Sequence, residues 1–305
     1  MITCGMTANY TDLQRKGRVL KGQNGLYTVE ADCGIYQCRS ASKIRKEAGL
    51  KILAGDNVLF LDNGDGTGFI TSVLERRNSF IRPAVANTDM LLIVVSAAQP
   101  DPVPYNIDRL SVLSVLSGAS VYIVITKSDI VVPKELIEIY GKTPFPVTTS
   151  SIYKPECAEE IRERLSGKIT VFTGASGAGK SSLINLLYPE LKTQVGELSE
   201  KIKRGKNTTR VTELFPVGGN TYIADTPGFT MLDVELFSGI ELKKLITYFP
   251  DLSPFAADCR YSDCTHTKEE ECGVIEAVNR GEVSASRHNS YVRLYDEIKS
   301  VKKYA

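Results

Sequence analysis

A glycine-rich segment in the middle of the chain places the strongest constraint on the fold. Residues 174–181 read GASGAGKS, which matches the pattern G-x-x-x-x-G-K-[ST] at every position. The apolar run KITVFT precedes it, and the helix-like SSLINLLY begins at its last residue. A strand that enters such a loop and continues into a helix is the context of a phosphate-binding loop. The segment therefore predicts an α/β domain with a doubly wound sheet.

The same segment supplies most of the predicted nucleotide contacts. Backbone N–H groups before and at the start of the helix point at a bound phosphate, and the helix adds partial positive charge there. We expect Lys180 to neutralise the β and γ phosphates and the Ser181 hydroxyl to bind Mg²⁺. The predicted contact residues are Gly174, Ala175, Ser176, Gly177, Ala178, Gly179, Lys180, Ser181 and Ser182.

Two later segments have the composition of switch elements. Residues 225–228 read DTPG behind a short apolar strand, so Asp225 is expected at a strand end as a second magnesium contact. Gly228 is expected close to the γ-phosphate. Between the loop and DTPG lies KRGKNTTR, in which Thr208 or Thr209 would close over Mg²⁺ and the γ-phosphate. A solvated loop remains the alternative for this basic segment.

A segment that selects the base precedes the phosphate loop. Residues 126–129 read TKSD and follow the buried-strand run VYIVI. The carboxylate of Asp129 would accept guanine N1–H and the exocyclic amine, a pairing that adenine does not offer. The later stretch VTTSS is expected to offer backbone N–H groups to guanine O6. The predicted base-binding residues are Thr126, Lys127, Ser128, Asp129 and Ser150. An enzyme that uses an adenine nucleotide stays an alternative.

A cysteine and histidine cluster near the carboxyl end predicts a metal site. Three thiolates and one imidazole form a closed tetrahedral set for structural zinc, with no open position for catalysis. Three of the seven cysteines and one of the two histidines take part, which argues against chance. The predicted ligands are Cys259, Cys264, His266 and Cys272. Two other cysteines, Cys33 and Cys38, are expected to pack within strands.

Composition indicates a cytoplasmic protein with no membrane partner. The chain has 305 residues, enough for two or three domains. It has no run of 18 apolar residues, and its start MITCGMTANY lacks the regions of a signal peptide. Reduced cysteines, which favour zinc over disulfides, are then expected. Since the formal net charge is only +1, any RNA contact must come from local patches.

The chain divides into three predicted regions. Residues 1–82 contain five short strand candidates separated by turn signals, which predict a small barrel, either an OB-fold or an SH3-like barrel. Its basic segment SASKIRKEAGLK contacts RNA phosphates or is a solvated surface. Residues 83–238 alternate strand and helix, beginning with the continuous apolar run MLLIVVS. Residues 239–305 are predicted to be helical around the metal cluster.

The last helix, residues 285–304, is polar and amphipathic. It carries basic side chains that would contact rRNA or form a solvated face. These are Arg287, His288, Arg293, Lys299, Lys302 and Lys303.

The order of these motifs resembles that of the circularly permuted GTPases. Within them the chain is similar to the RsgA (YjeQ) family, which depends on the small ribosomal subunit. The stretch VGELSEKIKRGKNTTR is similar to the first switch of that family, and the cysteine cluster matches its zinc site. The resemblance implies an amino-terminal OB-fold and a monomeric protein. It also implies a structural zinc ion, and magnesium bound together with GTP or GDP. It further implies binding to the 30S subunit and its 16S rRNA, with GTP hydrolysis coupled to late subunit maturation.

Three positions depart from the expected pattern. Thr126 stands where guanine-nucleotide switches usually carry Asn, so the contact to guanine N7 stays open. Asn207 stands where members of the family commonly carry His, and an amide cannot act as a general base. Phe229 follows DTPG where many switches carry Gln, and an apolar side chain cannot orient water. Hydrolysis is therefore expected to be slow alone and stimulated by the subunit. A nucleotide-gated rRNA-binding module with incidental turnover is the alternative function.

Overall fold

The first five strands close into a barrel in the computed structural model, which describes residues 14–40, 51–80, 83–191, 212–225, 234–237 and 239–304. The barrel order is β1-β2-β3-β5-β4, and β4 pairs back with β1. The β3–β5 pair is parallel, whereas the other pairs are antiparallel. This is the topology of an OB-like barrel and not of an SH3-like one. The strands are β1 (Gln14–Gln23), β2 (Leu26–Ala31), β3 (Gly34–Ser40), β4 (Asn57–Asp62) and β5 (Thr67–Val73).

Alternation along these strands builds a separate barrel core. The inward side chains of Val29, Phe60 and Ile70 are fully buried. Cys38 is buried among them, which confirms its predicted packing role. The same prediction is wrong for Cys33, which is exposed in the turn between β2 and β3. The sequence around Cys33 resembles a strand, but β2 ends at Ala31 and β3 begins only at Gly34.

The second sheet is doubly wound, as the phosphate loop predicts. Its strand order is β10-β9-β8-β11-β13-β12, in which β12 is an antiparallel edge strand and the other pairs are parallel. A short hairpin of β6 (Ser79–Phe80) and β7 (Val85–Ala86) precedes it. The sheet strands are β8 (Met90–Ser96), β9 (Ser120–Thr126), β10 (Val147–Thr149), β11 (Ile169–Thr173), β12 (Leu214–Pro216) and β13 (Tyr222–Asp225).

Helices cover both faces of this sheet. Leu91, Ile93 and Val95 of β8 pack towards α1 and α2, whereas Leu92 and Val94 pack towards α3 and α4. Because both faces are covered, β8 reads as a continuous apolar run and not as an alternating one. The helices are α1 (Pro104–Leu116), α2 (Lys134–Tyr140), α3 (Cys157–Leu165) and α4 (Lys180–Leu187).

The carboxyl-terminal part packs directly on the sheet domain. Its core residues Phe249 and Tyr291 belong to the same buried cluster as Leu91 of β8. No helix in the described part of the chain is long and apolar enough to span a bilayer. The elements are short 3₁₀ helices at Val234–Phe237, Leu242–Tyr248 and Ser253–Asp258, followed by α5 (Gly273–Asn279) and α6 (Ala285–Tyr304).

Arg287 of α6 is fully buried, so its predicted place on a basic surface is wrong. Its guanidinium lies 2.7 Å from Asp108 of α1 and 2.7 Å from Asp251, and 4.8 Å from the ring centroid of Phe249. Burial lowers its pKa, but the two carboxylates outweigh burial and raise the pKa above the usual value. This ion triad joins the carboxyl-terminal part to the sheet domain.

The barrel contacts the other edge of the sheet domain. The Lys21 ammonium lies 2.6 Å from the Glu213 carboxylate, one residue before β12. The Tyr222 hydroxyl donates to the Glu30 carboxylate at 2.6 Å, and the Arg18 guanidinium lies 4.4 Å from the centroid of the same ring. The barrel therefore rests on β12 and β13.

Candidate functional site

Four predicted site segments meet at one edge of the second sheet. In parallel strands, residues in register lie side by side, so carboxyl ends converge. Thr126 of β9 is in register with Ser96 of β8, and Asp225 of β13 is in register with Phe172, just before the phosphate loop. Thr149 of β10 is in register with Ile125. The sheet thus brings the base-selecting segment, the phosphate loop and Asp225, the first residue of DTPG, together despite their unusual order.

The phosphate loop adopts backbone conformations that require glycine. Gly174, Gly177 and Gly179 have φ values of +143°, +81° and +94°. A Cβ atom on Gly174 would lie 2.1 Å from the carbonyl oxygen of Val94, so no other residue fits there. Helix α4 begins directly after Gly179. Its first N–H groups and the loop amides can therefore face an anion, except that of Ala178, which donates to Ala175 O at 3.2 Å.

Lys180 lies folded over this loop. Its Nζ atom donates to the carbonyl oxygens of Gly174 at 2.9 Å and Ala175 at 3.0 Å, and the residue is only 8% exposed. Burial lowers the pKa of Lys180, while the nearby Asp225 carboxylate raises it. Bound phosphates would compete with the two loop carbonyls for the hydrogen bonds of this ammonium.

The base-selecting segment is tied to the phosphate loop by two side chains. The hydroxyl of Thr126 lies 2.6 Å from Ala178 O and 3.1 Å from Val95 O, and its single proton suits the nearer carbonyl. The Lys127 ammonium donates to Gly177 O at 3.0 Å and also to Gln99 O. These bonds set the distance between the base-selecting segment and the phosphate loop before a ligand binds.

A cavity of about 200 Å³ lies between these segments. Asp129, Ser150, Gly179 and Ser182 all line it, so the predicted base and phosphate contacts border one space. The N–H of Ser150 donates to Ile125 O at 2.7 Å within the sheet, which removes it as a donor to guanine O6. Ser151, which follows and lines the same cavity, is the better candidate for that contact.

Several predicted residues lie outside the described part of the chain. They include the threonine pair, the family's histidine position and the two positions after DTP. They are Asn207, Thr208, Thr209, Gly228 and Phe229, together with most of the basic barrel segment.

The four predicted metal ligands come together as a compact set. Their ligand atoms all lie within 4.8 Å of one another. Cys259 Sγ lies 3.8 Å from Cys272 Sγ and 3.3 Å from His266 Nδ1, and Cys272 Sγ lies 3.6 Å from the same nitrogen. A zinc tetrahedron has S–S edges of about 3.8 Å and S–N edges of about 3.5 Å, given its bond lengths. A disulfide would need about 2.0 Å between the sulfurs.

Neighbouring groups hold the ligand loop in shape. His288 Nε2 donates to His266 O at 2.7 Å, and the Tyr291 hydroxyl donates to Thr265 O at 2.8 Å. Both donors belong to α6, the helix that also carries Arg287. Glu269 accepts from backbone N–H groups of the loop, including that of Thr267 at 2.9 Å. Such outer contacts orient ligands before a metal binds.

Comparison with known proteins gives matches over nearly the whole chain. Residues 73–235 match the family model described as RsgA GTPase, and residues 16–70 match the RsgA N-terminal domain. A protein named small ribosomal subunit biogenesis GTPase RsgA, from Alkaliphilus metalliredigens, is 38% identical over 95% of this chain and 99% of that protein. One of the same name from Thermotoga neapolitana is 37% identical over 94% of this chain and 97% of that protein.

Two solved structures are similar throughout. The crystal structure of YjeQ from Thermotoga maritima has a TM-score of 0.79 and 34% identity, covering 94% of this chain and 99% of that one. That of YloQ, a circularly permuted GTPase, has a TM-score of 0.77 and 28% identity, covering 94% of this chain and 96% of that one. The fold is therefore shared over 94% of this chain.

Proposed function

We propose that this chain, which belongs to the RsgA family of GTPases, is a GTP hydrolase of small ribosomal subunit biogenesis. One observation carries the nucleotide part: Thr126 and Lys127 of the base-selecting segment bond directly to the phosphate loop. A guanine held by the first segment then has its phosphates on the second.

The proposed nucleotide contacts follow from the site geometry. Amides within residues 174–182, apart from that of Ala178, bind the phosphates, and Lys180 moves from the loop carbonyls to the β and γ phosphates. Asp129 selects guanine, and Ser151 donates to O6. Ser181 and Asp225, with Thr208 or Thr209, would hold Mg²⁺, which would supply positive charge against the phosphates. The loop amides and Lys180 would then stabilise the negative charge that develops on the transferred phosphoryl group.

Hydrolysis by the isolated chain is proposed to be slow. Phe229 cannot orient water, and Asn207 can hydrogen-bond water but cannot take its proton. Gly228 is proposed to contact the γ-phosphate through its backbone. The small subunit would then supply or order the missing group, as partner groups do for other switches.

The cysteine cluster is proposed to hold one structural Zn²⁺. Cys259, Cys264, His266 and Cys272 fill a tetrahedron and leave no position for a reacting water. When bound, the ion stabilises the polar loop that α6 supports through His288 and Tyr291.

We propose that the chain is a cytoplasmic monomer. Its two outer regions are proposed to dock on 16S rRNA. The proposed domains are residues 1–82, 83–238 and 239–305. An OB-like barrel is a common platform for oligonucleotides. It contacts Tyr222 on β13 and Glu213, one residue before β12, so a nucleotide-dependent shift in the neighbouring switch segments would reach it. The second switch leads from Asp225 to Val234–Phe237, whose Phe237 is buried in the core shared with α6.

Sedimentation with purified small subunits tests this proposal. The chain should pellet with the subunits in a non-hydrolysable GTP analogue and less so in GDP. No association in either state would remove the ribosomal part. Association that is unaffected by Asp129→Asn in every nucleotide state would favour an RNA-binding module with incidental turnover.

A further inference from the structure

Three exposed apolar side chains border the cavity between the base-selecting segment and the phosphate loop. Ile130 is 65% exposed, Ile152 is 58% exposed and Tyr153 is 76% exposed. All three line the same cavity as Asp129. Single exposed apolar residues are ordinary on a protein surface, whereas a group around one cavity marks a place where a ligand covers them.

Two tight turns fix the backbone that carries these side chains. Ile130 N–H donates to Lys127 O at 3.0 Å, in the turn that follows β9. Tyr153 N–H donates to Ser151 Oγ at 3.1 Å, and Lys154 N–H donates to Ser151 O at 3.1 Å, in the turn that follows β10. The backbone of both turns is therefore fixed, while the exposed side chain of Tyr153 keeps its freedom to rotate.

The position of the cavity identifies the occupant by its chemistry. Its inner wall includes Gly179 and Ser182, at the end of the phosphate loop and the start of α4. A nucleotide with its phosphates on that loop consequently places its base in this cavity. Lys127 lines the cavity and donates through its ammonium to Gly177 O of the loop, while Ile152 and Tyr153 line it from the turn after β10.

We propose that Tyr153, with Ile152 beside it, stacks on the purine base of the bound nucleotide and closes the cavity behind it. This inference rests on the proposed guanine-nucleotide function. Every base has an aromatic face, so stacking adds affinity without choosing between guanine and adenine. Asp129 makes that choice, and Tyr153 sets how long the nucleotide stays.

Alanine substitution measures the contribution of the ring. Tyr153→Ala should raise the Kd of GDP and of GTP by the same factor, about tenfold, mostly through faster dissociation. Tyr153→Phe should keep the wild-type Kd because it keeps the ring. Tyr261→Ala is the matched control, since Tyr261 is 51% exposed in the loop of the metal cluster. Unchanged GDP binding by Tyr153→Ala, or equal losses in the Phe and Ala variants, would overturn the proposal.

A spectroscopic reading separates stacking from a general loss of structure. The chain contains no tryptophan, so Tyr153→Trp introduces the single indole. GDP should quench its fluorescence at concentrations that calorimetry shows to saturate the site. An unchanged spectrum with GDP bound would contradict stacking. If the wild-type chain binds no GDP, the proposed function itself fails. If it binds GDP and the Tyr153 variants match it, only this inference fails.

Discussion

The hydroxyl of Thr126 lies 2.6 Å from the carbonyl oxygen of Ala178 and so links the base-selecting segment to the phosphate loop. A threonine at this position cannot reach as far as asparagine, yet it retains a hydrogen-bond donor. The substitution therefore keeps a tether between the two segments. Gly179 leaves room for it, because a Cβ atom there would lie 3.3 Å from the Thr126 hydroxyl oxygen.

Removal of this tether should weaken nucleotide binding without changing base preference. Thr126→Val keeps the shape but loses the donor, and one buried carbonyl loses its partner. The Kd of GDP and GTP should rise about fivefold, as expected for one neutral hydrogen bond. Calorimetry measures both values. Thr126→Ser, which retains the hydroxyl, is the control, and equal affinities in the Val and Ser variants would show that the bond does not matter.

Asp129 should control the choice of base. Asp129→Asn removes the acceptor for guanine N1–H and the exocyclic amine, and the Kd of GDP should rise about a hundredfold. Xanthosine diphosphate, which has a carbonyl in place of that amine, should bind the variant better than GDP does. Competition of GDP, XDP and ADP against a labelled nucleotide checks this. Preference of the wild-type chain for ADP would instead support an adenine-nucleotide enzyme.

The buried triad around Arg287 should dominate the attachment of the carboxyl-terminal part. Arg287→Met leaves the carboxylates of Asp108 and Asp251 buried without a cation, which costs about 3–5 kcal/mol in the free energy of unfolding. Urea denaturation measures this. Lys299→Met, on the exposed side of the same helix, should change stability by at most about 0.5 kcal/mol. A loss in Arg287→Met no larger than in the control would contradict the role of the triad.

The cysteine cluster should bind one zinc per chain. Cys272→Ser should reduce the zinc content measured by elemental analysis and lower the melting temperature, whereas Cys157→Ser should retain the metal. Zinc affinity should fall as pH falls, because thiolates and imidazole must be deprotonated to bind. Full metal content in Cys272→Ser would exclude this cysteine as a ligand.

Sequence patterns predicted the elements better than the contacts between them. The phosphate-loop motif and the apolar strand runs predict the doubly wound sheet, because glycine positions and local periodicity can be read from neighbouring residues alone. Arg287 was placed on a basic surface because helical spacing alone cannot reveal Asp251 and Asp108 on other elements. Within VTTSS the sequence singles out Ser150 and not Ser151, and it gives no sign of Tyr153, for a related reason. Only the register of β10 beside β9 shows which N–H is engaged in the sheet and which turn borders the cavity.

Steady-state phosphate release in the presence of purified small ribosomal subunits shows whether the subunit stimulates GTP hydrolysis by this chain. The wild-type chain should hydrolyse GTP slowly alone and much faster with subunits, and it should not hydrolyse ATP. Lys180→Ala should lose both rates, because the transferred group loses its cation. A GTPase rate that subunits leave unchanged, in a chain that also fails to associate with them, would mean that this chain is not a subunit-dependent GTPase.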